Sequence, residues 1–217
     1  MTIDLAFFLG QLVQNPVLVV VVVLNVGVII VNGATDAPNA IATAVSTRAM
    51  KPRHAIIMAA ICNFLGLLLV SLVSTAVAAT IFSMVDFGGD SRAALIALMA
   101  AMVAIIVWGA TAWWFGIPTS QSHSLIAGLT GAAIAVQGGF DAINGAEWVK
   151  VVYGILLSTL MGFGLGWLFY KGIGRLFQGA NRQSANRFFR VAQILGGAGV
   201  AFMHGAQDGQ KFMSIFM

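Results

Sequence analysis

The chain has 217 residues, of which 59% are hydrophobic and only 8% are charged, and its mean hydropathy is +0.94. This composition excludes a soluble globular domain and intrinsic disorder, and it predicts an all-α polytopic membrane protein surrounded by membrane lipid. The formal net charge of +4 gives no reason to expect a nucleic-acid partner. The single cysteine, Cys62, excludes an internal disulfide.

The apolar segments predict about six membrane spans, preceded by an apolar lead-in at residues 3–13 that is too short to cross. The fourth span is short and rich in Ser, Gly and Thr, so it crosses only if an extended stretch at 116–122 leads into a half-helix. The predicted spans are residues 17–44, 55–85, 93–115, 119–136, 148–170 and 191 onward.

Basic residues are concentrated in two connections, 48–53 and 171–190. Because basic residues in short loops favour the cytoplasmic side, both connections are expected to face the cytoplasm. The span at 17–44 then runs inward and the span from residue 191 runs outward. The expected location is the cytoplasmic membrane, in which the chain is a multi-pass protein.

The first span is interrupted before it has crossed. Residues 17–31 reach only about 22 Å as a helix, against a hydrocarbon core of ~30 Å, and Gly33, Asp36 and Pro38 follow. Such a break persists only where protein or a polar cavity satisfies the backbone, as at transporter substrate sites. Asp36 and Asn39 share a helix face by their spacing and are predicted to begin a small ion site. Alternatively, Asp36 only caps the helix that follows.

A second polar cluster follows the third predicted span. Pro118 ends that span, and a Gly- and Ala-rich helix is predicted to begin a few residues later. Free backbone N–H groups at a helix start, flanked by hydroxyl donors, form an anion site. Alternatively, the hydroxyls only satisfy the backbone around a kink. The predicted anion-binding residues are Ser120, Gln121, Ser122 and His123, next to Thr119.

The sequence Gly-Ala-Thr-Asp at 33–36 recurs as Gly-Ala-Gln-Asp at 205–208. Because the two copies lie on spans of opposite direction, they predict an inverted-repeat transporter with discontinuous helices. Asp36 and Asp208 are therefore expected near the bilayer midplane, each at the start of a half-helix. Lys211 follows the second copy, and it is expected either to face a carboxylate, a carbonyl or a vestibule, or to reach the interface.

These motifs resemble those of bacterial PiT-type inorganic phosphate transporters. The signature of that family, Gly-Ala-Asn-Asp in both copies, is similar to residues 33–36 and 205–208, and Asn39 matches its later asparagine. The segment 118–123 resembles the Pro-x-Ser-x-Ser/Thr-His segment of the family, and 208–211 resembles the end of its second copy. The resemblance covers nearly the whole chain.

The resemblance implies import of inorganic phosphate by symport with H⁺ or Na⁺, in some members as a neutral metal–phosphate complex. It implies no enzyme activity, no resident metal and no cofactor beyond the coupling ion, for which Asp36 and Asp208 are the expected residues. The residues expected at the substrate site are Thr35, Asp36, Asn39, Ser120, Gln121, Ser122, His123, Asp208 and Gln210.

Two departures from the family pattern keep alternatives open. Thr35 and Gln207 replace the asparagine of the signature, so sulfate remains an alternative to phosphate. The serine-rich segment has one copy, so the expected division is 1–173 as the first repeat, 174–190 as a basic cytoplasmic linker and 191–217 as the truncated start of a second, inverted repeat. Transport is then expected to need the missing C-terminal half or a homodimer.

Two other classes of protein are weighed against a transporter. An intramembrane aspartyl protease needs two membrane aspartates, which Asp36 and Asp208 could supply. Against it, its expected Gly-x-Gly-Asp sequence is absent and the serine-rich segment would have no role. A channel, or a non-transporting scaffold or half-subunit, is the other alternative, and it would not concentrate a substrate.

Overall fold

The computed structural model describes residues 5–214 and is almost entirely helical within that range. The one strand-like contact among these residues is an isolated antiparallel bridge between Val85 and Ile143. The helices are α1 (Leu5–Gln14), α2 (Pro16–Thr35), α3 (Ala37–Ser46), α4 (Pro52–Val73), α5 (Ala76–Ser83), α6 (Ser91–Phe115), α7 (Gln121–Gln137), α8 (Gly145–Leu176) and α9 (Arg182–Met213), with a short 3-10 helix at Phe140–Ala142. This architecture confirms the all-α fold class.

Four helical stretches of the described chain are long and apolar enough to cross a membrane: α2 together with α3, α4, α6 and α8. They correspond to the first, second, third and fifth predicted spans. The fourth and sixth predicted spans correspond to α7, with 17 residues, and α9, with 32 residues. That these two helices also cross the membrane stays a prediction.

The segment 55–85, predicted as one span, forms two helices. The chain is extended at Ser74, whose side-chain oxygen accepts a hydrogen bond from the Ala76 backbone N–H at 3.3 Å. Such local bonds compete with helix continuation, which explains why α4 ends here. The predicted lead-in at 3–13 falls within α1 from Leu5 onward, and its first two residues lie outside the described range.

The basic segment 171–190, predicted as a loop, is helical except for residues 177–181. Asn181 caps α9 through its side chain, which explains why that helix begins earlier than expected. Phe177 then packs against Phe189 with 4.7 Å between ring centroids. The turn between α8 and α9 is therefore short, and the proposed domain boundaries around it stay a prediction.

α6 and α7 form an antiparallel hairpin. Gly116 ends α6 with φ 65°, a left-handed conformation that glycine adopts without a Cβ penalty. Residues 117–120 belong to no helix, and Ser120 is extended where the chain enters α7. The predicted extended stretch at 116–122 is therefore shorter than expected, because Ser120 caps a helix that already begins at Gln121. The Asp86 backbone N–H donates to the Ala142 carbonyl at 2.8 Å, which joins the α5–α6 and α7–α8 connections. α7 therefore returns to the end of the molecule at which α6 begins.

α4 and α9 run parallel and lie backbone against backbone. A Cβ added at Gly66 or at Gly205 would overlap the backbone of the facing helix, so both positions require glycine. The contacts advance in the same direction along both helices, from Asn63 with Gly205 to Ser71 with Met213. This close approach is what brings α4 side chains to the second motif copy.

α3 and α9 run antiparallel. Near the end of α3, the Thr47 hydroxyl donates to the Gln193 side-chain oxygen at 2.5 Å, early in α9. Farther from that end, Ala40 and Ala201 belong to one buried cluster. The two motif copies thus lie on oppositely directed helices, as predicted, and both basic connections lie at the same end of the molecule. That the copies belong to an inverted structural repeat stays a prediction.

The helices pack as two groups around the motif copies. In one group, α2 packs on α6, and α6 packs on α7, around a core that includes Val28, Met102 and Leu125. In the other group, α3 and α4 pack on α9. α8 contributes no buried residue to either group.

Candidate functional site

The first motif copy interrupts its helix at one residue. α2 ends at Thr35, Asp36 has φ −100° and ψ −37°, and α3 begins at the next residue. Pro38 explains the break, because it has no N–H for the Ala34 carbonyl and its ring would collide with that carbonyl in a continuous helix. The Thr35 hydroxyl donates back to a carbonyl of α2 at 3.0 Å, so it stabilises the helix end.

The Asp36 carboxylate does not cap α3, because it makes no hydrogen bond to the backbone at the start of that helix. It faces instead the backbone N–H of Gln121, the first residue of α7. N–H groups in the first turn of a helix carry partial positive charge and favour a nearby anion. The capping alternative for Asp36 is therefore wrong, and the start of α7 lies next to an acidic side chain.

The second motif copy does not interrupt its helix. Asp208 lies inside α9, which continues to Met213, so the expectation that Asp208 begins a half-helix is wrong. The position that Pro38 occupies two residues after Asp36 is taken here by Gln210, whose backbone N–H can continue the helix. The Gln210 side chain is buried and donates to the Ser74 carbonyl at 2.8 Å, which ties α9 to the end of α4.

A charged network surrounds Asp208, which is only 7% exposed. Lys211 places its Nζ 2.7 Å from Asp208 Oδ1, and His204 places its Nε2 3.1 Å from Asp208 Oδ2. The other ring nitrogen of His204, Nδ1, lies 2.7 Å from Asn63 Oδ1 on α4. All four residues are thus linked, and both oxygens of the carboxylate have cationic or imidazole neighbours.

Ser122 joins the serine-rich segment to this network. Its hydroxyl oxygen accepts a hydrogen bond from Lys211 Nζ at 2.6 Å and lies 3.4 Å from Asp208 Oδ1. The residues come from α7 and α9, 86 positions apart in sequence. The structure therefore brings the predicted anion segment and the second motif copy to one place.

The two motif aspartates also lie close together. One potential ligand atom from each of Asp36, His204 and Asp208 lies within 4.8 Å of the others. Two carboxylates and an imidazole form a donor set able to hold a cation. Asn63, the neighbour of His204, is half-way along α4, so the cluster lies beside the middle of an apolar helix. Its depth in a bilayer stays a prediction.

Two cavities meet at His204. The smaller, about 250 Å³, is lined by Asp36, Asn39, Ser120 and His204 among others. The larger, about 630 Å³, is mostly apolar and reaches Asp208 between α2, α4 and α9. Five of the predicted substrate residues are thus found together: the smaller cavity is lined by Asp36, Asn39 and Ser120. Ser122 and Asp208 meet beside it.

Four other predicted residues have side chains directed elsewhere, and the first of them, Thr35, bonds back to α2. Gln121 is fully buried against Gly109, with no partner for either polar atom of its amide. His123 is exposed and lines a third cavity, which shares Thr119 and Ser120 with the smaller one. Gln210 bonds to α4, as described above. Their assignment to substrate therefore rests on the sequence pattern alone.

His204, Lys211 and Asn63 were not assigned to the predicted site. The first two were recognisable from the sequence, because positions 204, 208 and 211 share one face of a continuous helix by their i+4 and i+3 spacing. Asn63 carries no such signal, since its approach depends on the contact between α4 and α9. A pattern within one helix can therefore identify part of the network, and only the packing of two helices completes it.

Inverted motif copies on membrane helices, with buried charges between them, are features of the secondary transporter class. The sequence profile of the phosphate transporter family matches residues 32–182, and this chain belongs to that family. It is 40% identical over 185 residues to the "Probable low-affinity inorganic phosphate transporter" of Bacillus subtilis (strain 168). The aligned region covers 85% of this chain and 54% of the relative.

Two further relatives show how much of a family member the chain represents. A protein of the same name from Streptomyces halstedii is 38% identical. The aligned region covers 87% of this chain and 86% of that relative. The "Low-affinity inorganic phosphate transporter PitB" of Escherichia coli (strain K12) is 34% identical, and the alignment covers 86% of this chain and 42% of that relative. The chain therefore spans about half the length of the Bacillus and Escherichia relatives. These relatives are named as transporters, not as enzymes.

A solved structure titled "The sodium-dependent phosphate transporter" superposes with a TM-score of 0.70 at 21% sequence identity. The superposition covers 93% of this chain and 55% of that chain. At this level of identity the likeness shows a shared fold. The helical arrangement described above is thus one that a transporter structure also adopts.

Proposed function

We propose that this chain forms one half of a secondary transporter that imports inorganic phosphate by cation symport. The observation that carries the proposal is the position of Ser122, whose hydroxyl lies within hydrogen-bond distance of Lys211 and Asp208. The serine-rich segment offers donors that bind an anion, whereas the acidic motif attracts a cation. Their meeting at one point suits a site that takes an anion together with a cation.

Phosphate binds, in this proposal, at the start of α7. The backbone N–H groups of the first turn, the hydroxyls of Ser120 and Ser122, and the Lys211 ammonium all donate hydrogen bonds and need no arginine. Asp36, which faces the Gln121 N–H, marks where an oxyanion would be stabilised. Phosphate carries one or two negative charges near neutral pH, so it must arrive with positive charge or displace this carboxylate.

The coupling cation binds to Asp36 and Asp208. These two carboxylates and one ammonium leave a net charge of −1 around the site when His204 is neutral, before any phosphate enters. One or more cations must therefore accompany the anion, as H⁺, as Na⁺, or as a divalent metal bound to phosphate. Phosphate import would then depend on the gradient of that cation, as symport requires.

Transport is tested with radiolabelled phosphate in liposomes. We expect accumulation under an inward H⁺ or Na⁺ gradient when the chain is reconstituted with the part of the Bacillus relative that it does not cover. We expect no accumulation by the chain alone, because its serine-rich segment has one copy and the opposite side of the site would lack donors. Accumulation by the chain alone would point to a homodimer that completes the site.

Site variants test the same proposal residue by residue. Ser122→Ala and Asp36→Asn should each abolish phosphate accumulation, while Ser158→Ala should not, because Ser158 is exposed on α8 and bonds only within that helix. Uptake of sulfate by the unmodified protein, with phosphate failing to compete, would show that the transported anion is sulfate and not phosphate. Passive flux without accumulation would indicate a channel.

We further propose that the protein lies in the cytoplasmic membrane with both basic connections in the cytoplasm. Lys51→Cys and Arg182→Cys, each in a Cys62→Ala background, place a single thiol in either connection. An impermeant thiol reagent should label neither in intact cells and both after the cells are opened. Labelling of both from outside would reverse the proposed orientation.

A further inference from the structure

Lys211 is a cation held inside the site by contacts that a free cation could make. Its side chain is 19% exposed, and its Nζ lies 2.7 Å from Asp208 Oδ1 and 2.6 Å from Ser122 Oγ. It does not extend along the helix to reach an interface. An ammonium bound between a carboxylate and a hydroxyl oxygen has the surroundings of a monovalent cation in an oxygen-lined site.

The neighbouring groups require this positive charge. Asp36 and Asp208 are both acidic, and His204 is the other titratable side chain within 4.8 Å of both. A buried carboxylate without a counter-charge is strongly unfavourable, and the same holds for an unpaired ammonium. Each of the two charges, the buried Asp208 and the half-buried Lys211, is thus stable only in the presence of the other.

We propose that the Lys211 ammonium occupies a monovalent-cation site, as a permanently attached substitute for a free ion. Removal of the side chain should therefore leave a binding site for small cations of the size of ammonium or K⁺, bounded by Asp208 Oδ1 and Ser122 Oγ. This goes beyond the transport proposal, because it concerns the chain in the absence of phosphate. If the transport proposal also holds, the tethered charge reduces by one the cations that must accompany each phosphate.

Chemical rescue tests this directly. The purified chain in detergent is melted while tryptophan fluorescence is recorded, in methylammonium, ammonium, K⁺ or tetramethylammonium chloride at constant ionic strength. Lys211→Ala should lower the Tm, and methylammonium should recover at least half of the loss. Tetramethylammonium should recover none, because it is too large for a site of the size of ammonium or K⁺. The unmodified chain and Lys211→Arg should respond equally to all four salts.

The matched control is Lys150→Ala. Lys150 also pairs with a carboxylate three residues away, Glu147, but its side chain is 63% exposed. This variant should melt close to the unmodified chain and should not respond to methylammonium. Equal Tm values for Lys211→Ala and the unmodified chain would overturn the proposal, and so would equal recovery by methylammonium and tetramethylammonium.

A second pair of variants keeps the test decisive if Lys211→Ala does not fold. Lys211→Met retains the apolar stem but leaves Asp208 unpaired, whereas Lys211→Met combined with Asp208→Asn removes both charges. The double variant should melt at a higher temperature than Lys211→Met alone, because the two effects are coupled. Additive losses would show that Lys211 only packs, and would contradict the proposal. Both readouts are independent of phosphate, so they do not depend on the transport result.

Discussion

The two motif copies have similar sequences and different structures. At the first copy the helix breaks at Asp36, whose carboxylate faces a backbone N–H and forms no ion pair with any residue that the structure describes. At the second copy the helix is continuous, and Asp208 is buried between Lys211 and His204. A four-residue repeat therefore conserves the acidic group, while the residues just outside the repeat decide how that group is held.

The two copies differ in packing for the same reason. Gly33 has no atom within 4 Å of an added Cβ, whereas Gly205 is in backbone contact with α4. The glycine of the first copy is thus in no contact that requires glycine, whereas the glycine of the second allows a close contact between helices. Two comparisons between equivalent positions, a third between asparagines near the two aspartates, and a variant of Pro38 test this distinction, in order of decreasing expected effect.

Substitutions at the two aspartates should differ most in their effect on the free energy of unfolding. Asp208→Asn leaves the half-buried Lys211 ammonium without its anion and should lower the free energy of unfolding by about 3 kcal/mol. Asp36→Asn removes a charge that has no ion pair, and it should change that free energy by less than about 1 kcal/mol. Urea or SDS unfolding in mixed micelles measures both. Equal losses would show that the two copies carry equivalent charges.

Substitutions at the two glycines should show the second-largest difference in the free energy of unfolding. Gly205→Ala forces α4 and α9 apart and should cost about 2 kcal/mol, in the range of overpacked cores. Gly33→Ala meets open space and should be neutral or slightly stabilising, because alanine favours a helix by up to about 1 kcal/mol. Gly199→Ala, also in open space on α9, is the control for helix propensity. A cost at Gly199 equal to that at Gly205 would argue against the close contact.

The asparagines near the aspartates provide a smaller contrast. Asn63→Ala removes the partner of His204 and should cost about 1 kcal/mol, the value of a typical hydrogen bond. Asn39→Ala, three residues after Asp36, changes an exposed side chain and should leave the unfolding free energy within about 0.5 kcal/mol. The same unfolding measurement applies. A larger loss at Asn39 would mean that the first copy is the more tightly packed.

The proline of the first copy should affect geometry more than stability. Pro38→Ala restores the N–H that a continuous helix needs, so α2 and α3 should straighten. Spin labels at Val23 and Thr43, both exposed, should then report a longer distance than in the protein with Pro38. An unchanged distance would show that tertiary contacts, not the proline, impose the break at Asp36.

The sequence predicted the fold class, four of the spans and the opposite directions of the two motif copies, because hydropathy and a duplicated motif are local signals. It also contained the reason for the wrong prediction at Asp208. Pro38 follows the first aspartate and Gln210 follows the second, but similarity of the motif led to the same expectation for both. The break depends on the proline, which lies outside the repeated residues.

The site was predicted less completely, because part of it depends on distant packing. Ser122 was found from its neighbours, and Lys211 was noticed as a costly charge that needed a partner. Asn63 was missed because its role depends on glycines at 66 and 205, where two helices approach. Gln121 was assigned to the anion site for its amide, yet that side chain is buried against α6. Composition alone does not show which way a side chain points.

The break at Asp36 also has a mechanical meaning. α2, on one side of it, belongs to the group with α6 and α7, whereas α3, on the other side, belongs to the group with α4 and α9. Ser122 is in the first group, and Asp208 and Lys211 are in the second. Phe212 of α9 also packs in the core of the first group. A change of angle at Asp36 would therefore move the hydroxyl away from the two charges only if that contact opened with it.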